Sequence, residues 1–169
     1  MIGDEDDPPD DVDLYRTAWH PEHLDEGGFT GTSAFRKDDL TGGDGFVSVD
    51  RSDRFNEAVA QTRAREQQNR EREKTKPGEP VKKEEAVVLE LPCAGVREAV
   101  DDKGAKPFSV TGARRDDNPA HCAIRNVTGI KGKSYINQLR LILLKLVLRE
   151  RLLMLSEPEA SGEVTAGES

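Results

Sequence analysis

The side chains best suited to chemistry are few and widely spaced. His20, His23, Cys93 and Cys122 are types that can ligate zinc. The two cysteines lie far apart and neither belongs to a C-x-x-C pair, so no metal site is expected. His121 and Cys122 are adjacent, as a thiol–imidazole couple requires. On a strand, however, neighbouring side chains point to opposite faces, and Cys122 reads as a small core residue. Gly129-Ile130-Lys131-Gly132-Lys133-Ser134 sits between a predicted strand and a predicted helix, where a phosphate-binding loop belongs. That pattern needs a glycine where Val127 stands, so the segment reads as a loop with Ser134 capping the helix. A last constellation is polar. Tyr15-Arg16, Thr32-Ser33, Asp50-Arg51 and His121 all fall on or beside predicted strand ends, and Glu84 and Glu85 supply a later acid.

The order Arg16, Ser33, then Glu84 or Glu85, with Phe29-Thr30-Gly31-Thr32-Ser33 around the serine, resembles NAD-using ADP-ribosyltransferase folds. The resemblance implies that Arg16 and Ser33 hold the dinucleotide. The acid would stabilise positive charge developing on the ribose. Lys83-Glu84-Glu85 departs from the family's usual spacing to the strand that follows.

Tyr15-Arg16 with His20-Pro21, Ser33-Ala34-Phe35, Val47-Ser48-Val49-Asp50, and Asn118-Pro119-Ala120-His121 with Ile124 form a second ordered series. It resembles a family of small bacterial proteins with Y-R, S-S-x-A-F, S-V-D and N-P-x-H-x-x-I blocks. The likeness spans roughly residues 14–135 and implies domain extent and a bacterial source, without a biochemical activity. The single Ser33, the charged insertion at 61–80 and the leucine-rich end of the chain depart from it.

The elements that must position these groups come from a chain of 169 residues, 34% hydrophobic and 34% charged, with formal net charge −8. That length suits one domain with a modest core. The acidic excess argues against nucleic acid as the main partner. The basic stretch Arg63–Lys76 also lacks aromatic side chains for base stacking. The start of the sequence is acidic where a signal peptide would be basic. No apolar run reaches the length of a membrane span. A cytoplasmic protein with reduced thiols is expected.

Residues 1–13, acidic and proline-bearing, are expected to be a disordered tail, as are residues 156–169. Between them, 14–155 reads as one α+β domain: a small mixed or antiparallel sheet with a long C-terminal helix. Strands are predicted near 14–19, 29–35, 46–50, 86–91, 108–110 and 120–124, with a short helix over 94–100. A polar helix starting near Arg54, capped by Ser52 or Asp53, leads into a charged insertion at about 56–80. Beyond Ala60 its apolar face vanishes.

From Ser134 to Leu155 the spacing predicts the strongest helix. It has one broad apolar face and a second stripe of Leu141, Leu144, Leu148, Leu152 and Leu155. A leucine stripe left without cover calls for a second surface. The expected function is therefore a non-enzymatic accessory or interaction module whose helix docks on a copy of itself or on another protein, with no cofactor. The alternative is an enzyme acting on NAD or another nucleotide, with Arg16, Ser33, Glu84, Glu85 and His121 as candidate site residues.

Overall fold

The computed structural model describes residues 6–155. Six antiparallel strands form one sheet in the order β4-β5-β2-β1-β3-β6. The strands are β1 Asp13–Pro21, β2 Val47–Arg51, β3 Lys83–Pro92, β4 Phe108–Gly112, β5 His121–Asn126 and β6 Arg149–Leu153. Three helices accompany them: α1 Glu57–Lys74, α2 Cys93–Glu98 and α3 Lys133–Leu146. The β1–β3 ladder is the spine, with register running from Asp13↔Pro92 to Pro21↔Lys83. The His20–Pro21 peptide is cis.

Alternation along the strands sends side chains to two faces. On one face, Leu14, Val47, Val49, Val87, Leu89, Leu91, Val110, Cys122 and Ile124 meet Val96 of α2 and Ile136, Leu139 and Leu143 of α3. Each fully buried leucine there contributes about 1.5–3 kcal/mol of transfer free energy. On the opposite face, Trp19, Ala86, Val88 and Leu153 pack against Ala60 and Ala64 of α1, with Tyr15, Phe55 and Leu155 at the margin.

Four sequence expectations are corrected. The described sheet is antiparallel, one of the two forms expected, but among the described residues the long helix expected over 134–155 is not formed. α3 ends at Leu146, Val147 leaves helical geometry (φ −62°, ψ 120°), and the chain becomes β6. No glycine or proline stops the helix. The exposed edge of β3 does so by offering a ladder from Ala86↔Leu153 to Glu90↔Arg149, and the Leu148 amide donates to the Glu90 carbonyl. A long-range backbone ladder here overrides local helical periodicity.

The segment 29–35 is no strand. It makes one bridge, Leu24↔Thr30, and then a 3-10 turn at Thr32–Ala34. α1 does keep a buried face beyond Ala60, through Ala64 and Gln68 at four-residue spacing. These side chains are small or polar, so hydropathy conceals the face. Gln68 Nε2 donates to the Lys83 and Glu84 carbonyls at 3.0 and 3.1 Å. Finally, the helix caps differ. Asn56 caps α1 by accepting from the Val59 amide, and Gly132 stands at the N-cap of α3 without a side-chain bond.

Residues 1–5 and 156–169 of the two expected tails lie outside the described residues. Within 6–12, Asp7 accepts from the Gly112 amide at 2.7 Å, Asp6 pairs with Arg54, and Asp10 pairs with Arg97.

Candidate functional site: a polar cleft between α1 and β2

α1 covers only the β1–β3–β6 half of its sheet face. On the uncovered half, β2 alternates Val47, Ser48, Val49, Asp50, so the two valines enter the core and the two polar residues face outward. The β2–β5 register sets Asp50 opposite His121 and Ser48 opposite Ala123. Ser48, Asp50 and His121 therefore share one face as direct or diagonal cross-strand neighbours.

Their hydrogen bonds fix their states. His121 Nδ1 lies 2.8 Å from the Ala113 carbonyl oxygen, which can only accept, so Nδ1 carries the proton. Burial pushes the His121 imidazolium below its ordinary range, opposed by the Ala113 carbonyl and Asp50 and assisted by Arg115 and Arg63. The ring is thus neutral at pH 7, and Nε2 is a free acceptor. The Ser48 hydroxyl donates to it at 3.1 Å. Beside this pair, Asp50 accepts from Asn118 Nδ2 at 2.8 Å and from Arg63 Nη2 at 3.1 Å. Asp50, Asn118 and His121 are all buried. Phe46 meets the imidazole edge-on, its ring centre 5.8 Å away.

The other wall comes from a seam in the sheet. β1 and β2 pair only at Leu14↔Arg51 and Tyr15↔Asp50 and then diverge. Arg16 fills the wedge, donating from Nε to the Ala34 carbonyl and from Nη1 to the Ser48 carbonyl, both at 3.0 Å. Burial weighs against its charge, while Asp39 supports it. The seam opens into a cleft of about 960 Å³ beneath Arg63, Gln67 and Arg70 of α1. The Trp19 indole Nε1–H donates to Gln67 across the join at 3.2 Å. Lining cations Arg16, Arg36, Arg63, Arg70, Lys83 and Arg115 are balanced by Glu22, Asp39, Asp44, Asp50, Glu66 and Asp117. Such a cleft holds opposite charges close together without a strong net field.

The sequence-derived candidates separate. Arg16 and His121 line this cleft. Ser33 is exposed on the 3-10 turn, and only its neighbour Ala34 touches Arg16. Glu84 and Glu85 are exposed at the start of β3, beside a second, smaller depression with Arg65, Arg72 and the end of β6. Arg16, Ser33 and the two glutamates do not converge.

The leucine stripe is divided. Leu141 and Leu144 stay on α3, Leu148 follows it, Leu152 lies on β6, and Leu155 packs at the margin of the Trp19 cluster. Leu144 is partly buried against the main core. Cys93 and Cys122 are buried and unbonded, and burial drives the Cys122 thiol up to about 12, far from a reactive thiolate. Among the described residues no group of three or more His, Cys, Asp or Glu is placed to hold a metal. No described helix is long and apolar enough to cross a membrane.

Ser48 is the residue that sequence reasoning passed over. Its signal was the alternation Val47-Ser48-Val49-Asp50, which puts Ser48 and Asp50 together on the face away from the core. No family model, curated protein or solved structure matches the chain.

Proposed function

We propose that the chain is a small-molecule-binding module and that the α1–β2 cleft takes a small polar ligand bearing groups of both charges. One observation carries the reading. β2, α1 and the segment entering β5 bring two hydrogen-bonded groups together beside an open cleft: Ser48 with His121, and Asp50 with Asn118 and Arg63. Burying such groups costs free energy unless they are mutually satisfied. A sheet face that needed only stability would carry apolar side chains at these positions. Polar groups converging in a cleft of this size, with the buried Arg63 Nε still lacking a partner among the described residues, are the usual form of a preorganised ligand site. The near balance of charge among the lining side chains favours a zwitterion over a polyanion.

The test is thermal unfolding in the presence of millimolar amino acids, dipeptides, monocarboxylates, inorganic phosphate and NAD. A zwitterionic class raises the midpoint in the parent protein, and the rise disappears in Arg63→Gln. Saturation at a hundredfold excess over Kd corresponds to about 2.7 kcal/mol. A flat response to every class, or a rise unchanged in Arg63→Gln, overturns this assignment of the cleft.

A second reading, protein docking, is favoured by the sheet edge. Among the described residues β6 has a partner on one side only, and Leu148, Leu152 and Met154 beside it are 59%, 51% and 67% exposed. Leu141 on α3 is 43% exposed. An open strand edge with apolar neighbours offers backbone pairing and apolar burial to another chain. Self-association is its simplest form. Light scattering reads a dimer that Leu148→Glu with Leu152→Glu converts to a folded monomer. A parent protein that is monomeric at all concentrations removes self-association.

A further inference from the structure

We infer that Ser48 and His121 form a nucleophile–base pair for acyl transfer, hydrolysing an ester of a small polar acid bound in the cleft. The inference rests on the binding role proposed for that cleft and assigns it a reaction. Three features support it. The Ser48 hydroxyl already points its proton at an imidazole nitrogen, at 3.1 Å. The imidazole is held in the required tautomer by the Ala113 carbonyl at 2.8 Å. The pair opens on the cleft, so a substrate carbonyl can approach Ser48. A nucleophile, a base and a group that orients the base are the recurring requirements for this chemistry.

The steps balance with water as the second reactant. Ser48 Oγ forms a bond to the ester carbonyl carbon as its proton passes to His121 Nε2. The C–O bond to the alcohol breaks, and the alkoxide leaves with that proton. Water then adds to the acyl carbon, giving a proton to Nε2. The bond to Ser48 breaks, Oγ recovers the proton, and a carboxylic acid departs.

The experiment is covalent labelling of the full chain with a fluorophosphonate, read by peptide mass spectrometry. Binding of the zwitterionic panel is measured in parallel. Label is expected on Ser48 and not on exposed Ser33. Ser48→Ala abolishes labelling. His121→Asn slows labelling by about 10²–10⁴-fold, the range of a general base.

His121→Asn removes a buried group, so the pH dependence of labelling in the parent protein gives an independent reading. The groups facing the imidazole are Asp50 from β2, Arg63 from α1, and Arg115 and the Ala113 carbonyl from the β4–β5 connection. The rate rises with pH as His121 loses its proton and levels off at lower pH than an ordinary histidine would give, because burial disfavours the imidazolium. Ligand stabilisation without Ser48 labelling overturns the acyl-transfer inference and leaves the binding role standing. Absence of both overturns both. Labelling whose rate is indifferent to pH across His121 titration and to His121→Asn removes the base from the scheme.

Discussion

A guanidinium at Arg16 stands in for backbone partners that β2 withdraws. Its two bonds close the carbonyls of Ala34 and Ser48, which no strand reaches. Arg16→Ala leaves both acceptors without a donor in a part-buried wedge, at an expected cost of about 2–4 kcal/mol in urea denaturation. Lysine is a poor substitute, because one ammonium cannot present the fixed fork that spans two carbonyls.

The histidines set a pH limit at the same scale. Burial lowers the folded-state pKa of His121 and of His23, whose Nδ1 accepts the Trp19 amide at 2.9 Å. Both bind protons more readily when unfolded, so stability rises with pH through this window. It is complete above the ordinary histidine value of 6.5 and declines as pH falls from there toward the depressed folded values. Urea midpoints measured between pH 7.5 and pH 5, at about 0.15 M salt, are expected to fall. His121→Asn is expected to reduce the dependence.

At the scale of the element, the end of the chain shows how far local pattern can mislead. Residues 134–155 carry leucines at spacings of three and four, and no breaker interrupts them. The signal that β6 exists lies sixty residues away, in Glu90. This buried carboxylate on β3 accepts from Arg149 Nε and Arg151 Nε. An alternating Arg149-Glu150-Arg151 is a strand pattern only if an acid waits on the neighbouring strand. Glu90→Ala therefore removes the clamp that selects strand over helix. With Arg149 largely in solvent and Arg151 only partly so, the expected loss is about 1–3 kcal/mol, and amide exchange should rise across 149–153 before the rest of the sheet. α1 teaches the converse: Ala60, Ala64 and Gln68 form a docking face too weakly apolar to stand out from its charged surroundings. Strands β3 and β2 were legible because Ala86–Leu91 and Val47–Asp50 carry their own β-branched or alternating pattern.

At the scale of the molecule, one sheet faces two layers of unequal extent. α2 and α3 seal one face around a continuous apolar core, whereas α1 spans half of the other and leaves polar side chains in the gap. The short blocks singled out in the sequence meet here. Arg16 reaches Ala34 and Ser48, His121 reaches Ser48, and Asn118 reaches Asp50. Their residue types suggested chemistry, but which residues partnered which was not legible. Cross-strand pairing between β2 and β5, which sets Asp50 opposite His121 and Ser48 opposite Ala123, decides that Ser48 rather than Ser33 stands beside the imidazole. Serine at 33 sits on a turn whose backbone, not its hydroxyl, enters the site.

The single tryptophan of the sequence is Trp19, wedged between the sheet and α1 with its indole N–H on Gln67 and Lys83 over its ring. Its intrinsic emission is therefore an optical gauge of that one join, free of background from any other indole. A red shift marks the helix lifting away. A change in intensity at constant wavelength marks an occupant arriving beneath it, so the two events can be followed separately in one cuvette without attaching a dye.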